Sequence, residues 1–274
     1  MLYLDSLFLY SIEGNYSSNV EHNKYIDELW RVHMGSIQRL DKVIANMGYG
    51  SRKDVKKIIK SGAVEIDDII VTDPKTKVDP EVQCIRVNGR QIDYKKNIYL
   101  MLNKPQGVIT ATEDKRLSTV LDLIDKEYLK YNPSPVGRLD KYTEGLLIIT
   151  NDGMMNHNLT SPRKGIDKEY YAEVYGRVNI RDVEAFKEGI VLDDGYKTMP
   201  AELIILEESQ VSKVIIKIKE GKFHQVKRMF QAIDKRVVYL KRLSIGNLRL
   251  DETLEPGDYR ELTEEEIIGL KNLM

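Results

Sequence analysis

The chain has 274 residues, 42% of them hydrophobic and 31% charged, with a net charge of −1 at neutral pH. That length accommodates one to three domains of roughly 100–200 residues, and no run of about 18 apolar residues marks a membrane span. The single cysteine, Cys84, excludes an intramolecular disulfide and fits a reducing cytoplasm, and four histidines without a Cys or His cluster give no structural zinc spacing.

The near-neutral total hides segregated charge. Between Ile37 and Ala63, seven Lys or Arg face only Asp41 and Asp54; between Lys213 and Arg242, ten face only Glu220 and Asp234. The balancing acids concentrate elsewhere, notably from Asp251 to Glu266. Such asymmetry suits a polyanion-binding face; the alternative is a pair of ordinary solvated helix faces.

Residues 1–36 read as an extension. The short apolar cluster Leu2, Leu4, Leu7, Phe8 and Leu9 lacks the basic lead and the small-residue cleavage site of a signal peptide. Trp30 is encoded by TGG. With Arg31 as AGG or AGA, the message resembles a bacterial ribosome-binding site a short distance ahead of Met34. Translation is therefore expected to begin at Met34; the alternative is a genuine disordered or helical extension, and an intact mass distinguishes the two.

From Leu40, the apolar residues Val43, Ile44 and Met47 recur at helical spacing and predict a helix with one buried face. Gly48-Tyr49-Gly50 ends it. Ser51-Arg52-Lys53-Asp54 is a capping pattern that opens a second helix, closed by Gly62. Short strands follow at Val64–Ile66 and Ile69–Val71 around Asp67-Asp68, with a hairpin signal at Asn88-Gly89. The predicted first domain spans 37–96, with Asp93 to Asn97 as a hinge by composition, and the second spans 97–274.

The second domain opens with a strand at Tyr99–Leu102. A helix is expected over 117–129. Leu146-Leu147-Ile148-Ile149, ending at Thr150 and the turn signal Asn151-Asp152-Gly153, reads as a strand buried on both faces. Arg138-Leu139-Asp140 then lies on the loop feeding it. Tyr170, Ala172 and Val174 share a face of a further strand, and another strand runs over Val211–Lys219. Glu220 to His224 form a turn before a helix carrying Val226, Met229, Phe230 and Ile233. A strand at Val237–Leu240 and a terminal helix opened by Thr263 complete the chain. Helices and strands mix without a steady βαβ rhythm, which predicts an α+β fold.

Two resemblances emerge from these residues. RLDKVIANMGYGSRKDVKKIIKSGAVEIDD resembles an S4 (αL-type) RNA-binding domain, with Asp67-Asp68 where many such domains have Asn-Gly. GRLDKYTEGLLIITNDG, DKEYYAEV and EGKFHQVKRMF, in that order, resemble the three motifs of a pseudouridine synthase, and the layout resembles the RsuA/RluB/RluE/RluF group. The resemblance implies a mixed, largely antiparallel catalytic sheet and isomerisation of uridine in rRNA. It implies neither metal nor nucleotide nor other cofactor; the lack of a long apolar run leads to an expectation of no membrane partner, and a monomer is the default expectation. His224-Gln225-Val226-Lys227-Arg228 looks most like the RsuA branch. That branch implies 16S rRNA, or a 30S assembly intermediate, as partner and position 516 as target. A 23S rRNA synthase of the RluB/RluE/RluF type and an idle RNA-binding assembly factor are the alternatives.

The resemblance also implies roles. Asp140 is expected to start the reaction, by attack on the sugar or base or by taking the 2′ proton. Lys227 is expected to be its cation, since a carboxylate closed off from water needs one to stay ionised; related families place Arg there. Tyr170 is expected to stack on the base, the alternative being a plain core tyrosine. Arg138 is expected near the flipped nucleotide, the alternative being a structural ion pair. Thr143 and Gly145 are expected to fix the loop. Arg39, Arg52, Lys53, Lys56, Lys104, His224 and Arg228 are candidate RNA contacts, with a plain surface lysine as the alternative for Lys104.

Overall fold

The computed structural model describes residues 37–274. The expected start at Met34 and the character of the first 36 residues lie outside the described residues. Contacts divide the chain after Tyr94. On one side Gln38 Nε2 donates to the Tyr94 hydroxyl at 2.6 Å. On the other, Lys95 pairs with Glu261 at 2.7 Å, and Asn151 donates to the Lys96 carbonyl while accepting from Ile98 N. The predicted hinge segment is thus tied at each end to its own unit.

The first unit contains β1 (Gln38–Arg39), α1 (Leu40–Asn46), α2 (Arg52–Lys60), β2 (Val64–Ile66), β3 (Ile69–Ile70), β4 (Lys77–Val78), β5 (Ile85–Val87) and β6 (Arg90–Gln91). The apolar stripes seen in the sequence face inward: Leu40, Val43, Ile44, Val55 and Ile59 are all 0% exposed. Ser51 caps α2 by accepting from Asp54 N. One sheet runs β3-β2-β5-β6, and β1 pairs with β4. Asp67 and Asp68 both adopt positive φ, 50° and 65°, as a tight hairpin turn requires. Asp67 holds this turn without glycine by accepting from Cys84 N at 2.9 Å, and Asp68 pairs with Arg86.

The strands of the second unit are β7 (Tyr99–Lys104), β8 (Ser134–Pro135), β9 (Glu144–Thr150), β10 (Lys168–Tyr175), β11 (Glu202–Glu207), β12 (Val211–Ile218), β13 (Arg236–Ile245), β14 (Leu248–Arg249) and β15 (Tyr259–Glu261). They form a nine-stranded sheet ordered β11-β12-β10-β13-β9-β7-β15, with β14 on β13 and β8 on β9. Among these strands only β13 and β9 pair in parallel. The helices are α3 (Lys126–Leu129), α4 (Gly153–Thr160), α5 (Ile180–Glu188), α6 (Gln225–Gln231) and α7 (Glu264–Lys271).

The central strands are buried on both faces, as their unbroken apolar runs predict. Leu147 and Ile149 of β9 join Leu100 and Leu102 in one core; Leu146 and Ile148 join Tyr99 and Met101 in the other. Burying each Leu or Ile is worth about 1.5–3 kcal/mol relative to exposure, so this four-by-four packing makes β7 and β9 a rigid base for the loops at their ends.

Two expectations are corrected. The helix over 117–129 is instead a 3-10 turn, Val120–Leu123, followed by the single-turn α3. A Thr119–Asp122 capping box opens the first turn, and the extended backbone at Ile124 and Asp125 separates the two. Asn151-Asp152-Gly153 does not simply turn the chain: Asp152 caps α4, accepting from Met154 N and Met155 N. No helix among the described residues is long and apolar enough to cross a membrane.

Candidate active site

Asp140 sits on the loop between β8 and β9, and the backbone around it is held at several points. Thr110 Oγ1 donates to the Leu139 carbonyl at 2.7 Å and accepts from Leu139 N. Thr143 N closes a turn onto the Asp140 carbonyl at 3.0 Å, and Gly107 N donates to the Lys141 carbonyl at 2.8 Å. Beneath lies Lys104, which is 0% exposed. Its ammonium donates to the carbonyls of Pro105 at 2.9 Å and Thr143 at 3.1 Å. Burial pushes its pKa down to about 8, against the opposing charges of Asp140 and Glu144.

Gly145 secures the start of β9. It has φ +101° and sits against β13, where a Cβ would collide with the Arg242 carbonyl and lie 2.7 Å from Arg242 N. Arg242 itself is buried and donates from Nε to the Leu146 carbonyl at 2.8 Å.

The other wall comes from the turn before α6. His224 adopts the left-handed conformation, φ 50°, which histidine tolerates better than most residues. That conformation brings His224 Nε2 to 3.5 Å from Asp140 Oδ1, while Lys227 Nζ, on the first turn of α6, lies 3.4 Å from Asp140 Oδ2. Glu220, 2% exposed, anchors the turn: it accepts from Gln225 Nε2 at 2.9 Å and from the Tyr196 hydroxyl at 2.6 Å. Gln225 Oε1 accepts in turn from Lys222 N.

These walls flank an open cleft lined by Arg138, Asp140, Thr143, Tyr170, Lys222, His224 and Lys227, among others. Asp140 remains about a quarter exposed. Tyr170 is 8% exposed, packed in the core with its side chain on the cleft wall. Arg138 lines the rim and has no ion-pair partner among the described residues. The structure therefore brings together Asp140, Tyr170, Lys227, Arg138 and His224.

Within the second unit, the candidates Lys104 and Arg228 do not line the cleft. Lys104 is neither a phosphate ligand nor a surface lysine; full burial makes it a clamp under the Asp140 loop. Arg228 is held by Asp193 and by Asp194, the latter at 2.7 Å, so its guanidinium is already matched. Arg39 pairs with the buried Asp41 at 2.8 Å, holding the Asp41 carboxyl below its ordinary range. Arg52, Lys53 and Lys56 stand exposed on α2. Part of the second basic segment is matched within the fold: Lys213 with Glu207, Lys217 with Glu202, Lys235 with Asp182. Sequence reasoning missed Thr110 and the Glu220–Gln225 pair; a Thr in a polar loop carries no signal, but Glu and Gln five apart around a Gly turn do.

Residues 98–232 match the RNA pseudouridylate synthase family, and residues 38–84 match the S4 domain. A Bacillus subtilis protein called uncharacterized RNA pseudouridine synthase YtzG is 50% identical over 84% of this chain and 96% of its own length. Ribosomal small subunit pseudouridine synthase A of Vibrio cholerae is 39% identical over 85% and 99%, and ribosomal large subunit pseudouridine synthase B of Bacillus subtilis is 38% identical over 86% and 97%. A crystal structure of a pseudouridylate synthase, 37% identical, covers 85% of this chain and 99% of its own with a TM-score of 0.60. The held aspartate loop, its lysine and the S4 unit thus belong to a member of the RNA pseudouridine synthase family, an isomerase of uridine in RNA.

Proposed function

We propose that this synthase converts a single uridine of 16S rRNA, position 516, in the cytoplasm, acting as a monomer on 16S rRNA or a 30S assembly intermediate. The observation that carries the reading is the bracketing of Asp140 by His224 and Lys227, at 3.5 and 3.4 Å. Both residues belong to the His224–Arg228 run that sets the RsuA-like sequences apart. Relatives named small subunit synthase A, 37–40% identical, support the same substrate.

The reaction breaks N1–C1′, turns the base, joins C5 to C1′ and moves the C5 proton to the freed base nitrogen, so no atom is gained or lost. Asp140 starts it as the ionised carboxylate, whether toward the sugar, the base or the 2′ proton. When RNA covers the cleft and displaces water, Lys227 opposes the cost of keeping that charge. Tyr170 offers a neutral ring to the unstacked base, an interaction worth roughly 1–3 kcal/mol. Arg138 offsets part of the few kcal/mol that flipping costs. The exposed Arg52, Lys53 and Lys56 of the S4 unit bind RNA phosphates, which fix position rather than sequence.

The second reading, a 23S rRNA substrate, draws on the relative named large subunit synthase B at 38% identity. Pseudouridine sequencing of 16S and 23S rRNA from a strain lacking this protein separates the two. Loss at position 516 alone, restored by the wild-type chain, supports the proposal; loss of a 23S pseudouridine overturns it. If an Asp140→Asn chain restored every cellular effect, the protein would instead act as an RNA-binding assembly factor.

A further inference from the structure

Phe223 is 73% exposed, the most open aromatic side chain of the described residues, yet it stands beside the cleft. A lone exposed apolar residue is ordinarily unremarked. This one differs in how it is mounted. Its ring stacks on His224 with centroids 3.8 Å apart and planes 17° from parallel, and the same His224 reaches Asp140. The turn that carries it is held: N of the preceding residue, Lys222, donates to Gln225, itself pinned to buried Glu220, and Arg228 donates to the Phe223 carbonyl at 3.5 Å. The ring thus stands on a hydrogen-bonded turn and against His224, and cationic Arg138, Lys222 and Lys227 line the cleft beside it.

From this mounting we infer that Phe223 is the stacking site for an unpaired nucleobase next to the target uridine, a reading that rests on RNA with an extruded uridine being the substrate. Extruding one nucleotide leaves its neighbours with an uncovered π-face. A preorganised aromatic ring replaces that lost stack without regard to base identity, and the surrounding cations meet the phosphates that link the two nucleotides. The Phe223–His224 pair then spans from the neighbouring base to the reacting carboxylate.

The test uses the full chain and unmodified 16S and 23S rRNA. In single-turnover assays, Phe223→Leu should raise the half-saturating enzyme concentration roughly 5- to 150-fold, the range expected for one missing base–aromatic stack. Phe223→Trp should stay within about twofold of wild type, which a purely apolar or structural role would not require. Ultraviolet cross-linking of the Asp140→Asn chain should join Phe223 to a nucleotide adjacent to the uridine that wild type converts. A Phe223→Leu chain with wild-type half-saturation, or a cross-link to a nucleotide remote from that uridine, would overturn the inference. Conversion in 23S rather than 16S rRNA overturns the substrate reading alone, because the Phe223 effect is read at whichever uridine the wild-type chain converts.

Discussion

Lys227 Nζ lies 3.4 Å from Asp140 Oδ2, although one residue rides on helix α6 and the other on the loop leading into strand β9. Neither side chain is locked away: they are about 31% and 27% exposed. A pair left this open contributes little to stability, so its value lies in what happens when RNA covers it. Lys227→Met should lower kcat about 10²–10³-fold, the usual cost of removing one electrostatic partner from a reacting centre, while thermal stability barely moves. Lys227→Arg should recover most of the loss, since the guanidinium can reach the same carboxylate with a forked geometry. Parallel rate and melting measurements on both variants check this; a large fall in stability for Lys227→Met would mean the pair is structural.

Gly145 is the tightest point under the site. Gly145→Ala adds a Cβ facing Arg242 backbone atoms at φ +101°. Backbone strain of about 1–3 kcal/mol adds to the collision, so a loss above about 2 kcal/mol is expected in chemical denaturation. A neutral result would mean that β9 can move off β13 at little cost.

Lys168 gives a pH signature. It is 7% exposed, its ammonium donates to the Ile166 carbonyl, and burial lowers its pKa from 10.5 to about 8, with Arg242 adding to the shift. Between pH 8 and 10.5 the unfolded chain holds this proton and the folded chain does not, so its contribution to stability rises with pH across that window. Lys168→Met removes a buried charge and should stabilise the fold by about 1–4 kcal/mol at pH 7. That advantage should shrink as pH rises through the same window. Urea titrations of both chains at about pH 7 and about pH 9.5 test the sign; an advantage that grows with pH would contradict it.

The S4 unit should act through charge. Replacing Arg52, Lys53 and Lys56 together by Gln should weaken rRNA binding and reduce the slope of log K against log salt by up to about 2.7, at about 0.9 for each phosphate left unneutralised. Turnover of bound RNA should persist. An unchanged salt slope in filter-binding assays would remove these three residues from the interface.

Much of this architecture is legible in the residues themselves. The run Leu146–Ile149 announces a strand buried on both faces, and the stripe Leu40, Val43, Ile44, Met47 announces α1, because periodicity reports burial directly. Asp140, Tyr170 and Lys227 are found by motif order. What stays hidden depends on partners distant in sequence. Nothing local separates Lys104, wholly buried under a loop, from an exposed lysine, or shows that Arg228 is matched by Asp193 and Asp194. The helix over 117–129 fails because the backbone is extended at Ile124 and Asp125, which splits the segment although Thr119 and Asp122 cap its start.

The most direct measurement is a pseudouridine map of rRNA after incubation of unmodified 16S rRNA, or partly assembled 30S particles, with the wild-type chain and with Asp140→Asn. If Asp140 starts the reaction on 16S rRNA, wild type should form one new pseudouridine, at position 516. Asp140→Asn should form none above background, although it binds the RNA within about twofold of wild type, since phosphate contacts elsewhere carry most of the affinity. The same pseudouridine formed by Asp140→Asn at a comparable rate would contradict that role.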